Sequence, residues 1–238
     1  MTSDGPGNRK WGYGVESFAD AEYLCIYGLR PADWNARGRQ LARTAVECTR
    51  DRLADRIRKD VAAAAKTATS TSACMVIDLF AGSANTLYWI VRNVFATRAI
   101  GFELDDDVFA ITSKNVAPIG AGIDVEHEDY ESGLKRLVVS PDESIVVFLA
   151  PPSGDALRDD SGLDLRRTQP PVSDIIDLTE SIFERNKILF VIQVYESIEP
   201  QSLEEINVRF DWSALRIYDF NAPGKNHGIL LGAMGWSS

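Results

Sequence analysis

The sequence predicts an α/β fold: a seven-stranded, mostly parallel sheet with a C-terminal antiparallel hairpin, helices on both faces, and an N-terminal helical extension. Three observations carry this. From position 75 onward short apolar runs alternate with stretches of helical spacing, the pattern of right-handed strand–helix–strand crossovers. The first run, Met75-Val-Ile-Asp-Leu-Phe-Ala-Gly-Ser-Ala-Asn-Thr86, stops at Asp78, turns through Gly82 and leads into a helical stretch. The last two runs, 215–220 and 228–234, are separated by Asn221-Ala-Pro-Gly-Lys-Asn-His227, turn residues that favour a hairpin.

The elements follow in order. Residues 1–10 are polar and Gly-rich and are expected to be disordered. Aromatics then crowd together (Trp11, Tyr13, Phe18, Tyr23, Tyr27, Trp34), a density suited to a segment that packs on something. Apolar positions Leu41, Ala45, Cys48, Leu53, Ile57 and Val61 have helical spacing over 41–65, and the small hydroxylated residues of 67–72 end it. The boundary is therefore drawn between an extension, 1–72, and a main domain, 73–238. In that domain strands are predicted at 75–80, 99–103, 123–126, 145–149, 188–194, 215–220 and 228–234. Helices are predicted at 86–95, 106–116, 131–138 and 173–185. The polar stretch 153–171 reads as a long loop near the strand ends.

At 238 residues, 45% apolar, the chain can bury one large core. No apolar stretch approaches the roughly 20 residues of a membrane span, and the N-terminus lacks the regions of a signal peptide, so a cytoplasmic protein without a membrane partner is expected. Cys25, Cys48 and Cys74 are widely spaced and read as reduced thiols; no metal site is expected, and His127 reads as an ordinary loop histidine. The formal net charge of −10 argues against a surface that grips nucleic acid everywhere. Its distribution is uneven: residues 1–72 hold 12 basic against 9 acidic side chains, a net of +3, and the rest 13 against 26, a net of −13. Arg37, Arg39, Arg43, Arg50, Arg52, Arg56, Arg58 and Lys59 form the basic part. It is either a phosphate-contacting arm or a solvated face with pairs at helical spacing.

Four segments carry chemistry. A buried strand that opens into a small-residue loop lets backbone N–H groups approach a ligand closely, and Asp78 beneath that loop can orient those groups or accept from a ligand ammonium. Glu103, about 25 residues on, closes the strand of Arg98-Ala-Ile-Gly-Phe-Glu103 and suits a bidentate contact to two ribose hydroxyls. Third is Glu126-His-Glu-Asp-Tyr130, and fourth Leu149-Ala-Pro-Pro-Ser-Gly154. Together these resemble the motifs of class I S-adenosylmethionine-dependent methyltransferases, which have a Rossmann-like fold. The resemblance is strongest to trimethylguanosine synthases and the bacterial enzymes that methylate guanine N2 in ribosomal RNA.

The resemblance implies an S-adenosyl-L-methionine site made of Asp78, Phe80, Ala81, Gly82, Asn85 and Thr86 around the methionine part and Glu103 on the ribose. Leu104, Asp129 and Tyr130 would surround the adenine. It implies a reaction centre at Ala150, Pro151, Pro152 and Ser153, where relatives carry a polar residue, two prolines and an aromatic. Here the prolines are present, but Ala150 accepts nothing through its side chain and Ser153 cannot stack. An aromatic from the extension is the candidate replacement, with Trp11, Tyr13, Phe18 and Tyr23 as a substrate lid; the alternative is that these rings only glue the extension down. The function expected is methyl transfer to a nitrogen of a small nucleobase-like or natural-product substrate. The alternatives are RNA guanine-N2 methylation through the basic helix, or a non-catalytic partner subunit of the same fold. Either a partner subunit or a homo-oligomer is compatible with the sequence.

Overall fold

The computed structural model describes residues 26–29, 48–68, 74–120, 122–220 and 226–236. Helix α1 (Asp51–Ala68) precedes strand β1 (Cys74–Asp78), followed by α2 (Asn85–Val91), β2 (Ala96–Glu103), α3 (Asp106–Val116), β3 (Ile123–His127), α4 (Tyr130–Arg136) and β4 (Ser144–Leu149). A small hairpin, β5 (Leu157–Arg158) and β6 (Gly162–Leu163), leads to α5 (Val172–Ile182), β7 (Ile188–Tyr195), α6 (Pro200–Asn207), β8 (Trp212–Tyr218) and β9 (His227–Met234). The seven-stranded sheet runs β3-β2-β1-β4-β7-β9-β8. All its pairings are parallel except those of β9, which is antiparallel to both neighbours. All seven predicted strands are present.

Alternation along the central strands feeds two cores, which is why those strands read as continuous apolar runs. Met75, Ile77, Ile145, Val147, Phe190 and Ile192 face one way, against Leu134 of α4 and Ile175 and Ile176 of α5. Val76, Val146, Phe148, Leu189 and Val191 face the other, against Ile57 and Val61 of α1 and Leu87 and Ile90 of α2. Each such fully buried aliphatic side chain contributes roughly 1.5–3 kcal/mol. Helix α1, assigned to the extension by the sequence reading, thus shares the core of the sheet. No helix among the described residues is long and apolar enough to cross a membrane.

Local chemistry sets the element ends. Asp105 caps α3 by accepting from Val108 N at 3.0 Å, and Asp129 caps α4 by accepting from Ser132 N at 2.9 Å. The helix expected over 41–65 begins only at Asp51, because residues 48–50 are drawn out of helical form by contacts to the site; 41–47 lie outside the described residues. The loop expected over 153–171 carries β5, β6 and a 3₁₀ turn (Gly154–Ala156), and it buries Leu163 and Leu165 in the first core. Helix α6, absent from the sequence reading, starts on Glu199, whose carboxylate takes the N–H groups of Gln201 and Ser202, with Pro200 in the first turn.

Candidate functional site

The strand order reverses at β1, whose neighbours β2 and β4 lead away in opposite directions. The C-terminal ends of parallel strands at such a switch point form a crevice. A cleft of about 1260 Å³ opens there, lined by the loops after β1, β2, β3 and β4, the ends of β7 and β9, and residues 48–53.

Past Asp78 the chain stays tied to both neighbouring strands: Leu79 N donates to Phe148 O at 3.1 Å and Ala81 N to Phe102 O at 2.8 Å. Gly82 has φ +51°, a conformation that glycine adopts without strain. Its N–H donates to Glu103 Oε2 at 2.9 Å and its carbonyl accepts from Thr112 Oγ1 at 2.7 Å. Gly101 gives the loop room, since a Cβ there would stand 2.9 Å from Ala81 Cβ and 3.3 Å from Leu87. A Gly101→Ala variant is therefore expected to displace the loop and lose about 1–3 kcal/mol of stability, measured by denaturant unfolding.

Two buried acids stand at adjacent strand ends. Asp78 is 1% exposed, and its Oδ1 accepts from Phe80 N at 3.1 Å. Burial pushes its carboxyl up to about 7; the Phe80 N–H opposes this and the nearby Glu103 charge adds to it. Glu103 is 9% exposed; besides Gly82, its Oε1 accepts from Asp105 N at 2.8 Å. Each Glu103 oxygen thus holds one backbone N–H and keeps further acceptor capacity.

Phe80 and Tyr130 wall the cleft as a tilted ring pair with centroids 5.3 Å apart. Ala81 and Thr86 are buried in its lining, and Leu104 stands at its rim, 70% exposed. Asp129 also lines it while capping α4, and that bond to Ser132 N holds its carboxyl below the usual range. His127 stacks on Phe109 at 4.8 Å, with Nε2 3.2 Å from Leu104 O and 3.0 Å from Asp106 Oδ1. Ala150, Pro151, Pro152 and Ser153 line the cleft past the end of β4, the strand next to that of Asp78. Pro152 O accepts from Gln169 N at 3.2 Å, whereas Pro151 O takes no bond from any described residue.

Two sequence expectations change. Asn85 lines the cleft, but its amide is largely spent inside the protein: Oδ1 accepts from Tyr27 N at 2.7 Å, and Nδ2 donates to Thr49 O at 2.7 Å and Asp51 Oδ1 at 3.1 Å. Tyr27, counted among the aromatics available to cover the cleft, is instead 1% exposed behind the loop. Its hydroxyl donates to Ser83 O, and its ring meets Tyr88 edge-on at 5.6 Å. Asp51 completes this hub by accepting from Gly28 N at 2.9 Å and Trp89 Nε1 at 2.6 Å. Burial raises its carboxyl despite these donors. The hub joins positions more than 20 residues apart, so sequence spacing gave no sign of it. Trp11, Tyr13, Phe18 and Tyr23 lie outside the described residues.

The chain matches no protein-family model and no curated protein. Among solved structures it is similar to a domain titled delta-N METTL16 MTase domain: TM-score 0.50, 14% identity, 74% of this chain against 82% of that one. The fold is that of a methyltransferase domain. An rRNA methylase from Streptococcus thermophilus matches with TM-score 0.46 and 13% identity over 77% of this chain and 96% of that one. A precorrin-6y methyltransferase from Geobacter metallireducens matches with TM-score 0.47 and 17% identity over 74% and 87%.

The residues themselves fit an adenosyl amino acid. Asp78 is a buried carboxylate with no basic partner among the described residues, so a ligand ammonium would supply the missing countercharge. Glu103 retains acceptor capacity for a diol, and the Tyr130 ring in the cleft wall offers an apolar face for a purine.

Proposed function

We propose that the protein is an S-adenosyl-L-methionine-dependent methyltransferase acting on a nitrogen of a small nucleobase-like or natural-product substrate in the cytoplasm. The observation that carries this reading is the pair of buried strand-end acids, with Glu103 holding the Gly82 loop by a 2.9 Å bond. The cofactor brings an already activated sulfonium methyl, so the chain's task is alignment and exclusion of water. Asp78 binds the ammonium, Glu103 accepts from the ribose hydroxyls, Phe80 lies along the methionine part, and Leu104, Asp129 and Tyr130 surround the adenine. The Pro151 carbonyl, fixed by its ring, accepts an N–H of the acceptor and turns the nitrogen lone pair toward the methyl group.

A small acceptor is favoured over RNA because the cleft's lining among the described residues holds six carboxylates against two arginines, and two of the five described basic side chains at 50–59 are already paired. Arg58 and Lys59 pair with Asp55, and Arg58 also lies over Trp89 at 5.1 Å. The test is incubation with methyl-labelled S-adenosylmethionine and cell extract, then separation into RNA, protein and small-molecule fractions. Label in the small-molecule fraction is expected. Label in RNA, traced to guanine N2 by nucleoside digestion, would establish the guanine-methylation alternative, and cofactor binding without label in any fraction would point to a non-catalytic subunit.

A further inference from the structure

Charge along the cleft is sorted by strand order. Its lining carboxylates, Asp78, Glu103, Asp105, Glu128, Asp129 and Glu131, all belong to the ends of β1 and β2, the loops after β2 and β3, and the first turn of α4. Its lining arginines among the described residues, Arg50 and Arg52, belong to the other end. Thr49 Oγ1 donates to Gln193 Oε1 at 3.1 Å, which pins residues 48–50 over β7. The Arg52 guanidinium lies over the Phe220 ring, just past β8, at 4.3 Å. From β2 to β9 is four strand spacings, about 19 Å at roughly 4.8 Å each.

Arg52 differs from the protein's other well-placed arginines. Arg58 pairs with Asp55, Arg136 with Glu126 and Glu128, Arg166 with Asp164 and Glu199, and Arg209 with Asp177. Arg52 makes no hydrogen bond or ion pair with any described residue; the Phe220 ring face supports it. A guanidinium oriented in this way is suited to a two-pronged contact with a carboxylate or phosphate. Arg50 strengthens the local field, and its charge, after burial, helps to keep the nearby His227 neutral.

We propose that this end of the cleft is an anion subsite, and that the methyl acceptor carries a carboxylate or phosphate held by Arg52 with Arg50 beside it. The proposal rests on the methyltransferase reading and gives its acceptor a charge: the cationic cofactor occupies the acidic end and an anionic acceptor the basic end.

The test is calorimetric titration with sodium benzoate in one arm and inorganic phosphate in the other, at fixed ionic strength, with and without saturating S-adenosylhomocysteine. Saturable binding in at least one arm is expected, weakened at least fivefold in Arg52→Gln and unchanged in Arg216→Gln, an exposed arginine of β8 outside the cleft lining. The responding arm distinguishes carboxylate from phosphate. No saturable binding in either arm, or equal binding by the Arg52→Gln protein, overturns the subsite. S-adenosylhomocysteine affinity, measured first, separates the two readings: its absence removes the methyltransferase assignment, whereas its presence without anion binding removes the subsite alone.

Discussion

Replacing Glu103 with alanine is expected to lower affinity for S-adenosylhomocysteine by about 100-fold or more, with the fold retained. Two hydrogen bonds from a ribose diol to a carboxylate are worth about 1.5 kcal/mol or more each, and about 2.7 kcal/mol corresponds to 100-fold in Kd. The same carboxylate also holds Gly82 N and Asp105 N, so alanine frees the loop that has to meet the amino-acid tail. Glutamine is not a benign substitute. One of its two terminal atoms is an NH₂, which would face either the Gly82 or the Asp105 N–H, donor against donor. A Glu103→Gln protein should therefore lose more than tenfold in affinity, read by calorimetry, while its melting temperature stays within a few degrees of the parent. Unchanged affinity in both variants would remove Glu103 from the site.

The second large effect concerns pH. Asp78 is buried and its carboxyl is pushed up to about 7, so below that pH the free protein holds it protonated. A ligand ammonium beside it favours the ionised form and lowers the pKa in the complex, so binding releases a proton. The sign follows: affinity for S-adenosylhomocysteine rises with pH up to about 7 and levels off above it. Its slope approaches tenfold per pH unit on the acid side. The free protein shows the complementary trend. A folded-state carboxyl pKa raised above its unfolded value contributes stability below about pH 4 that is lost as pH rises toward about 7. Calorimetry from pH 5.5 to 8 in buffers of different ionisation enthalpy measures both proton release and slope. Asp78→Asn should bind weakly and flatten the profile, whereas a parent profile already flat from pH 5.5 to 8 would contradict the role given to Asp78.

Both acids were legible in the sequence because each ends an apolar strand, and a strand end fixes where a side chain emerges. The seven strands were legible for a related reason: a parallel strand buried on both faces leaves an uninterrupted apolar run such as 145–149. The eight residues of α6 left no comparable trace, since a short amphipathic segment with a Glu cap resembles a polar loop. In the stretch 153–171, the Leu163 and Leu165 pair was the available signal for burial, and the surrounding charges masked it. Long-range chemistry was not legible at all. The Tyr27 contact to Asn85 spans 58 positions and the Thr49 contact to Gln193 spans 144, and composition has no means of pairing such residues. For the same reason the sequence presented Arg52 as one basic side chain among eight, with nothing to mark its ring support from Phe220.

Titration of the unmodified protein with S-adenosylhomocysteine at pH 8, where Asp78 is ionised, tests the central claim most directly. One site per chain with a Kd of about 10 μM or tighter, some −7 kcal/mol, is the predicted result. No saturable heat at millimolar ligand would contradict it, and with it the assignment of the β1–β4 crevice to an adenosyl cofactor.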